Sequence, residues 1–226
     1  MAGRPPCPLW LVTGAALRTQ VTLRGISSAC APHGLMVMGA SGGRVLVGCD
    51  VGFWDVFTAS AEYSDGAPDP VDRWSKRIIE SIASPLGAAT AYPSDGPPYA
   101  PFIAWAMDTG RFFQSPVGMM VHDVAGLMIS IRGALIFDHI PDFPPTPATS
   151  PCDSCTTKPC ITACPVGALS AQPPYDVPAC KGYLNTTAGQ NCMTKGCKVR
   201  RACPVSQRFD RPYAQSHFHM KAFHPT

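Results

Sequence analysis

Charge is scarce in this sequence: Asp, Glu, Lys and Arg make up 15% of its 226 residues, against about a quarter in an average soluble domain. With 46% hydrophobic residues beside it, that scarcity excludes a disordered chain, whose composition is polar and highly charged. It predicts a buried core. Long apolar runs are missing too, and none approaches the roughly 18 residues that a membrane span needs. The opening MAGRPPCPLWLVTGAALRTQ lacks the basic, apolar and small-residue succession of an export signal. A cytoplasmic protein without a membrane span is the expectation. A phosphate loop is absent, and Gly39–Gly43, GASGG, has neither the spacing nor the following helix of a dinucleotide site, so it reads as a turn. No Ser/His/Asp nucleophile arrangement and no solenoid repeat stands out.

Proline, in contrast, is abundant at 25 residues, about twice its usual share, and predicts many fixed loops. LMVM from Leu35 and RVLVG from Arg44 read as two strands of a hairpin across the Gly/Ser turn. Asp69-Pro70 is a helix start, with Asp as cap and Pro in the first turn. Val71, Trp74, Ile78 and Ile82 follow at helical spacing, and Pro85 and Gly87 close the helix. YPSDGPPYAP (92–101) is a shaped loop, PFIAWAM (101–107) a short apolar helix or turn, and LMISIRGALIF (127–137) a core strand whose interior glycine marks a bulge or a close approach. Five prolines in DHIPDFPPTPATSP (138–151) make a semi-rigid segment. These features predict an α+β architecture: a mixed α and β domain over 1–140, a Pro-rich linker over 141–151, a cysteine domain over 152–212 and a tail over 213–226.

Eight of the eleven cysteines lie in that second domain. They form Cys152-x2-Cys155-x4-Cys160-x3-Cys164-Pro and Cys180-x11-Cys192-x4-Cys197-x5-Cys203-Pro. In bacterial two-cluster runs, three closely spaced cysteines hold one [4Fe-4S] cube and a fourth, before proline, reaches across to the other. By that rule Cys152, Cys155, Cys160 and Cys203 hold one cube, and Cys164, Cys180, Cys192 and Cys197 hold the second. Each cube then cross-links both halves of the domain, which is expected to unfold without iron. Charge follows the same division. Residues 1–149 carry nine Lys/Arg against twelve Asp/Glu, a net −3, and 150–226 carry nine against three, a net +6. Lys181, Lys195, Lys198, Arg200 and Arg201, lying among the ligands, would offset cluster charge. Structural zinc, disulfides and a basic RNA-binding face are the alternatives, but zinc sites give no reason for two Cys-Pro ends, and disulfides suit small secreted scaffolds.

Beyond the cysteines, GMMVHDVAGLMISIRGALIF (118–137) followed by a spacer and the first motif, and CKGYL from Cys180, resemble the iron-sulfur half of the epoxyqueuosine reductases and, more distantly, the corrinoid-dependent reductive dehalogenases. The resemblance spans about residues 108–212. The phrases PSDGPPYAPFIAWA (93–106) and QSPVGMMVHDVAGL (114–127) also resemble bacterial ferredoxin-like iron-sulfur proteins. The reductase resemblance implies a nitroreductase-like first domain that binds a corrinoid, with Asp108 the match to the proton-donating Asp. A plain ferredoxin needs no such domain, so residues 1–140 are expected to bind a redox partner protein, a corrinoid or a flavin. Electron transfer is the leading expectation, and a corrinoid-dependent reductase the alternative.

Three other groups are candidates. His122-Asp123 reads as a polar turn before it reads as an acid/base pair, because adjacent strand residues face opposite ways. His217, His219 and His224 offer metal ligands or, more simply, the face of an amphipathic tail packed on the clusters. Trp54, Trp74, Trp105, Phe102, Phe112 and Phe113 are candidates for a cofactor pocket, with a core role the simpler reading.

Overall fold

The computed structural model describes residues 21–138, 143, 149–172 and 174–225. The amino-terminal segment with Cys7, and most of the Pro-rich segment read as a linker, lie outside the described residues. The fold is mixed α and β, built on a small antiparallel sheet.

Its first elements are α1 (Leu23–Cys30), β1 (Leu35–Ser41) and β2 (Arg44–Cys49). The expected hairpin is present, and β1 pairs with β2 from Leu35↔Cys49 to Ser41↔Arg44. Gly42 and Gly43 both take positive φ in its turn, a conformation that side-chain-bearing residues rarely adopt. After the short α2 (Phe53–Thr58) and α3 (Ala61–Ser64) comes α4 (Pro70–Leu86), the longest helix described. It buries Val71, Trp74, Ile78, Ile79 and Ile82 along one stripe, as their helical spacing requires. Two details depart from expectation. Asp69 takes a left-handed backbone and makes no side-chain cap bond, and its carbonyl instead accepts from the Asp72 and Arg73 amides. Pro85 lies within the last turn, and Gly87 alone, at φ 64°, closes the helix.

β3 (Ala89–Ala91), the Pro-rich loop, α5 (Phe102–Asp108), β4 (Phe112–Gln114), β5 (Met120–His122) and β6 (Ile131–Ile136) complete this part. The sheet order is β1-β2-β6-β3, and β4 and β5 form a separate hairpin. The strand expected over 127–137 begins only at Ile131. Residues 127–130 turn away because Leu127 packs into the core around Cys160 and Cys203. The expected irregularity is present twice: the register of β2 on β6 shifts between Val47 and Gly48, and a Cβ on Gly133 would lie 2.8 Å from Ile79.

The cysteine-bearing part, by contrast, consists of turns and short helices: α6 (Val177–Leu184), α7 (Gln190–Lys195), α8 (Lys198–Ala202), α9 (Pro204–Phe209) and α10 (Tyr213–Phe223). It does not stand apart from the sheet. The Leu127 amide donates to Ser206 Oγ at 2.8 Å, Arg200 Nη1 donates to the Leu127 carbonyl at 2.7 Å, and Phe209 packs with Met38 and Leu46. Phe218 of α10 reaches the first core, 5.6 Å from Trp54 and 5.8 Å from Phe57 between ring centroids. No helix among the described residues is long and apolar enough to cross a membrane.

Candidate functional site

The eight cysteines divide between two cavities. The first, about 270 Å³, is lined by Cys152, Cys155, Cys160 and Cys203. The second, about 410 Å³, is lined by Cys164, Cys180, Cys192 and Cys197. These are the two sets of four that the Cys-Pro spacing groups together. The chain folds this way locally because Pro159 and Pro204 each sit in the first turn of a short helical segment, where a missing N–H costs nothing. Cys160 falls inside the one segment and Cys203 caps the other, and both become buried in one apolar cluster with Val199 and Val205.

Electrostatics group the sulfurs in the same way. Burial, first of all, raises the Cys152 and Cys160 thiols above the ordinary range, and smaller contributions come from the neighbouring Cys155 and Cys203. Burial likewise raises Cys180, on which Cys197, Cys164 and Cys192 act. The Tyr175 phenol stands in this second group, pushed up by burial and by Cys180, Cys197 and Cys164. Thiols so held must lose protons to bind a metal, so loading is expected to release protons. Among the described residues, no three His, Cys, Asp or Glu side chains converge closely enough to hold a single metal ion.

Of the five cations expected to offset cluster charge, Lys198 and Arg201 act on Cys192. Lys181 lies over the Phe223 ring and Lys195 over the Tyr213 ring, at 5.3 and 5.6 Å. Arg200, like Lys198, lines the second cavity, in a wall that Arg132, Arg211, Ser216 and His219 share. That wall was not legible as a site in the sequence, because its members come from four separate stretches of chain.

The remaining candidates fall elsewhere. Asp108 ends α5 with its side chain 56% exposed, 3.9 Å from Arg44, and lines neither cavity. His122 and Asp123 do touch, with Nε2 3.1 Å from Oδ1, so the expectation that they face apart is corrected. His122 is wholly buried; its Nε2 donates to the Met38 carbonyl at 2.8 Å and its Nδ1 accepts from the Val124 and Ala125 amides. Asp123 is gripped by Arg111 at 2.9 and 3.0 Å. With every polar atom engaged, the pair pins a turn and has no free base to offer.

The three carboxyl-terminal histidines do not converge. His217 Nδ1 meets the Met193 carbonyl and His224 Nε2 meets Asn185 Oδ1, while His219 lines the second cavity. Nor is α10 the expected amphipathic tail, since the residues it buries are Gln215 and Ser216. The aromatic candidates are distributed among cores: Trp54 and Trp74 in the first, Phe102, Trp105 and Phe112 in the second, Phe113 against the third. None of them lines either cavity. Comparison of the chain with models of protein families, with curated proteins and with solved structures finds no match to any of them.

Proposed function

We propose that the protein is an electron carrier that holds two [4Fe-4S] clusters, one on Cys152, Cys155, Cys160 and Cys203 and the other on Cys164, Cys180, Cys192 and Cys197. The observation that carries this reading is the division of the eight cysteines into two cavities, each drawing three ligands from one motif and one from the Cys-Pro end of the other. Spacing along the chain and placement in space are separate observations, and they agree on the same two sets.

The donor chemistry suits iron-sulfur cubes. A cube presents four iron corners to thiolates, and each set offers four cysteines to occupy them. Lys198 and Arg201 beside the second set supply positive charge to offset an anionic cluster. When bound, such clusters supply one-electron redox chemistry. This chain's contribution is to hold the ligands, exclude water with Val199, Val205 and Leu169, and bind a redox partner. The reductase reading has less to rest on, because Asp108 lines neither cavity and the aromatic residues of the first part are committed to cores.

The deciding measurement is iron, acid-labile sulfide, zinc and cobalt on protein purified without oxygen, together with its visible spectrum. About eight iron and eight sulfide per chain are expected from two cubes. Stoichiometric zinc without sulfide would overturn the reading, and cobalt with a corrinoid spectrum would favour the reductase.

A further inference from the structure

The second cavity is larger than its four cysteines account for. Besides them its lining carries Arg132, Lys198, Arg200, Arg211 and His219, and among the described residues no Asp or Glu lines it. Among the described residues, Arg200 and Arg211 form no ion pair, while Arg132 has Asp72 at 3.6 Å. The guanidiniums are held by backbone carbonyls. Arg200 donates to Leu127, Arg211 to Met128, and Arg132 to Ile131. Carbonyls orient such groups without neutralising them.

Two atoms of this wall are orphaned. Among the described residues, Arg211 Nε and His219 Nε2 are buried without a hydrogen-bond partner. A buried unsatisfied donor costs on the order of 1–3 kcal/mol, more where the group is charged, so two of them in one wall require a reason. Burial and the three neighbouring guanidiniums push His219 down to about 3, leaving it a neutral hydrogen-bonding group.

The cations that act on Cys192 are Lys198 and Arg201, whereas Arg211, Arg132 and Arg200 neighbour one another, His219 and Cys49. Much of the remaining lining is apolar, with Met119, Met128, Val199, Met220 and Phe223. An anion with an apolar body matches this distribution, its head on the guanidiniums and its body against the methionines.

We propose that Arg132, Arg200, Arg211 and His219 form a binding site for the carboxylate or phosphate head of a small organic anion, seated in the same cavity as Cys164, Cys180, Cys192 and Cys197. Only its position next to a cluster rests on the electron-carrier reading; the anion site itself stands on the cationic wall.

Calorimetric titration of the full-length protein, purified without oxygen, with benzoate and separately with inorganic phosphate tests this. Saturable binding of either is expected, with benzoate marking a carboxylate ligand and phosphate a phosphate ester. Binding should weaken about tenfold or more in Arg211→Met and in Arg200→Met and be unchanged in Arg77→Met, whose guanidinium pairs with Glu62. Arg211→Lys, which keeps the charge and loses the planar fork, guards against a misfolded methionine variant and should bind more weakly than wild type. Absence of saturable binding for both probes, or binding indifferent to Arg200 and Arg211, overturns the site. Iron and sulfide counted on the same sample keep the two readings apart: full iron without anion binding removes this site alone, and anion binding without iron removes the clusters alone.

Discussion

His122 shows how a residue that looks chemical can be structural. Its ring is wholly buried between the Met38 carbonyl and two backbone amides, a set of bonds that only the neutral Nε2–H form can make. Burial holds its pKa below the ordinary 6.5, so as pH falls the unfolded chain takes up a proton before the folded one does. Stability from this group is therefore complete above about pH 6.5 and is lost progressively below it. Replacing His122 by Phe keeps the volume but leaves one carbonyl and two amides without partners, a loss of roughly 3 kcal/mol. Urea unfolding at pH 8 and pH 5 checks both points. The variant should be weaker at pH 8 and should lose less on acidification than wild type; His219, with the same sign, contributes equally to both proteins and drops out of the difference.

At the scale of elements, the contact that joins the two parts of the chain runs through the turn after β5 and the start of α9. Gly126 sits there at φ 59°, and a Cβ on it would collide with the Ser206 backbone nitrogen and lie 2.6 Å from Ser206 Oγ. That hydroxyl receives the Leu127 amide, and Cys203 immediately precedes the helix. Gly126→Ala should thus push α9 outward, lowering the melting temperature by several degrees and lowering iron content together with it. A drop in melting temperature with full iron would show that α9 tolerates the shift. The same scale explains what was legible beforehand. The hairpin, α4 and the grouping of the cysteines follow from local signals, namely two glycines between alternating strands, apolar residues at helical spacing, and two Cys-Pro ends. The late start of β6 was hidden because Leu127 answers to a tertiary contact with the cysteine cluster, and LMIS has strand composition whichever way it runs. The arginine wall was equally hidden, since a basic tail in a sequence does not say which of its cations meet across a cavity.

Across the whole molecule, two kinds of packing coexist. The sheet and α4 enclose an ordinary apolar core with Phe53, Phe57, Trp74 and Ile79 fully buried, which predicts a unit able to stay folded by itself. The cysteine-bearing region has small apolar clusters, one of them only Leu184, Cys192 and Met193 with partly buried neighbours, and on the proposed reading would lean on the clusters its sulfurs hold. If the proposed clusters are bound, removal of iron by a chelator under reducing conditions should make residues 150–212 protease-sensitive while the fragment carrying the sheet survives. Equal resistance with and without iron would show that the region folds unaided.

One contact already described then acquires an optical meaning. Phe218, on the last helix, shares a cluster with Trp54 and Tyr63 of the first part. If loosening of the cysteine-bearing region releases α10, the Trp54 indole should gain water and its emission should shift to longer wavelength. On the proposed two-cluster reading, Trp54 would then serve as a built-in fluorescent gauge of cluster loading that needs no added dye.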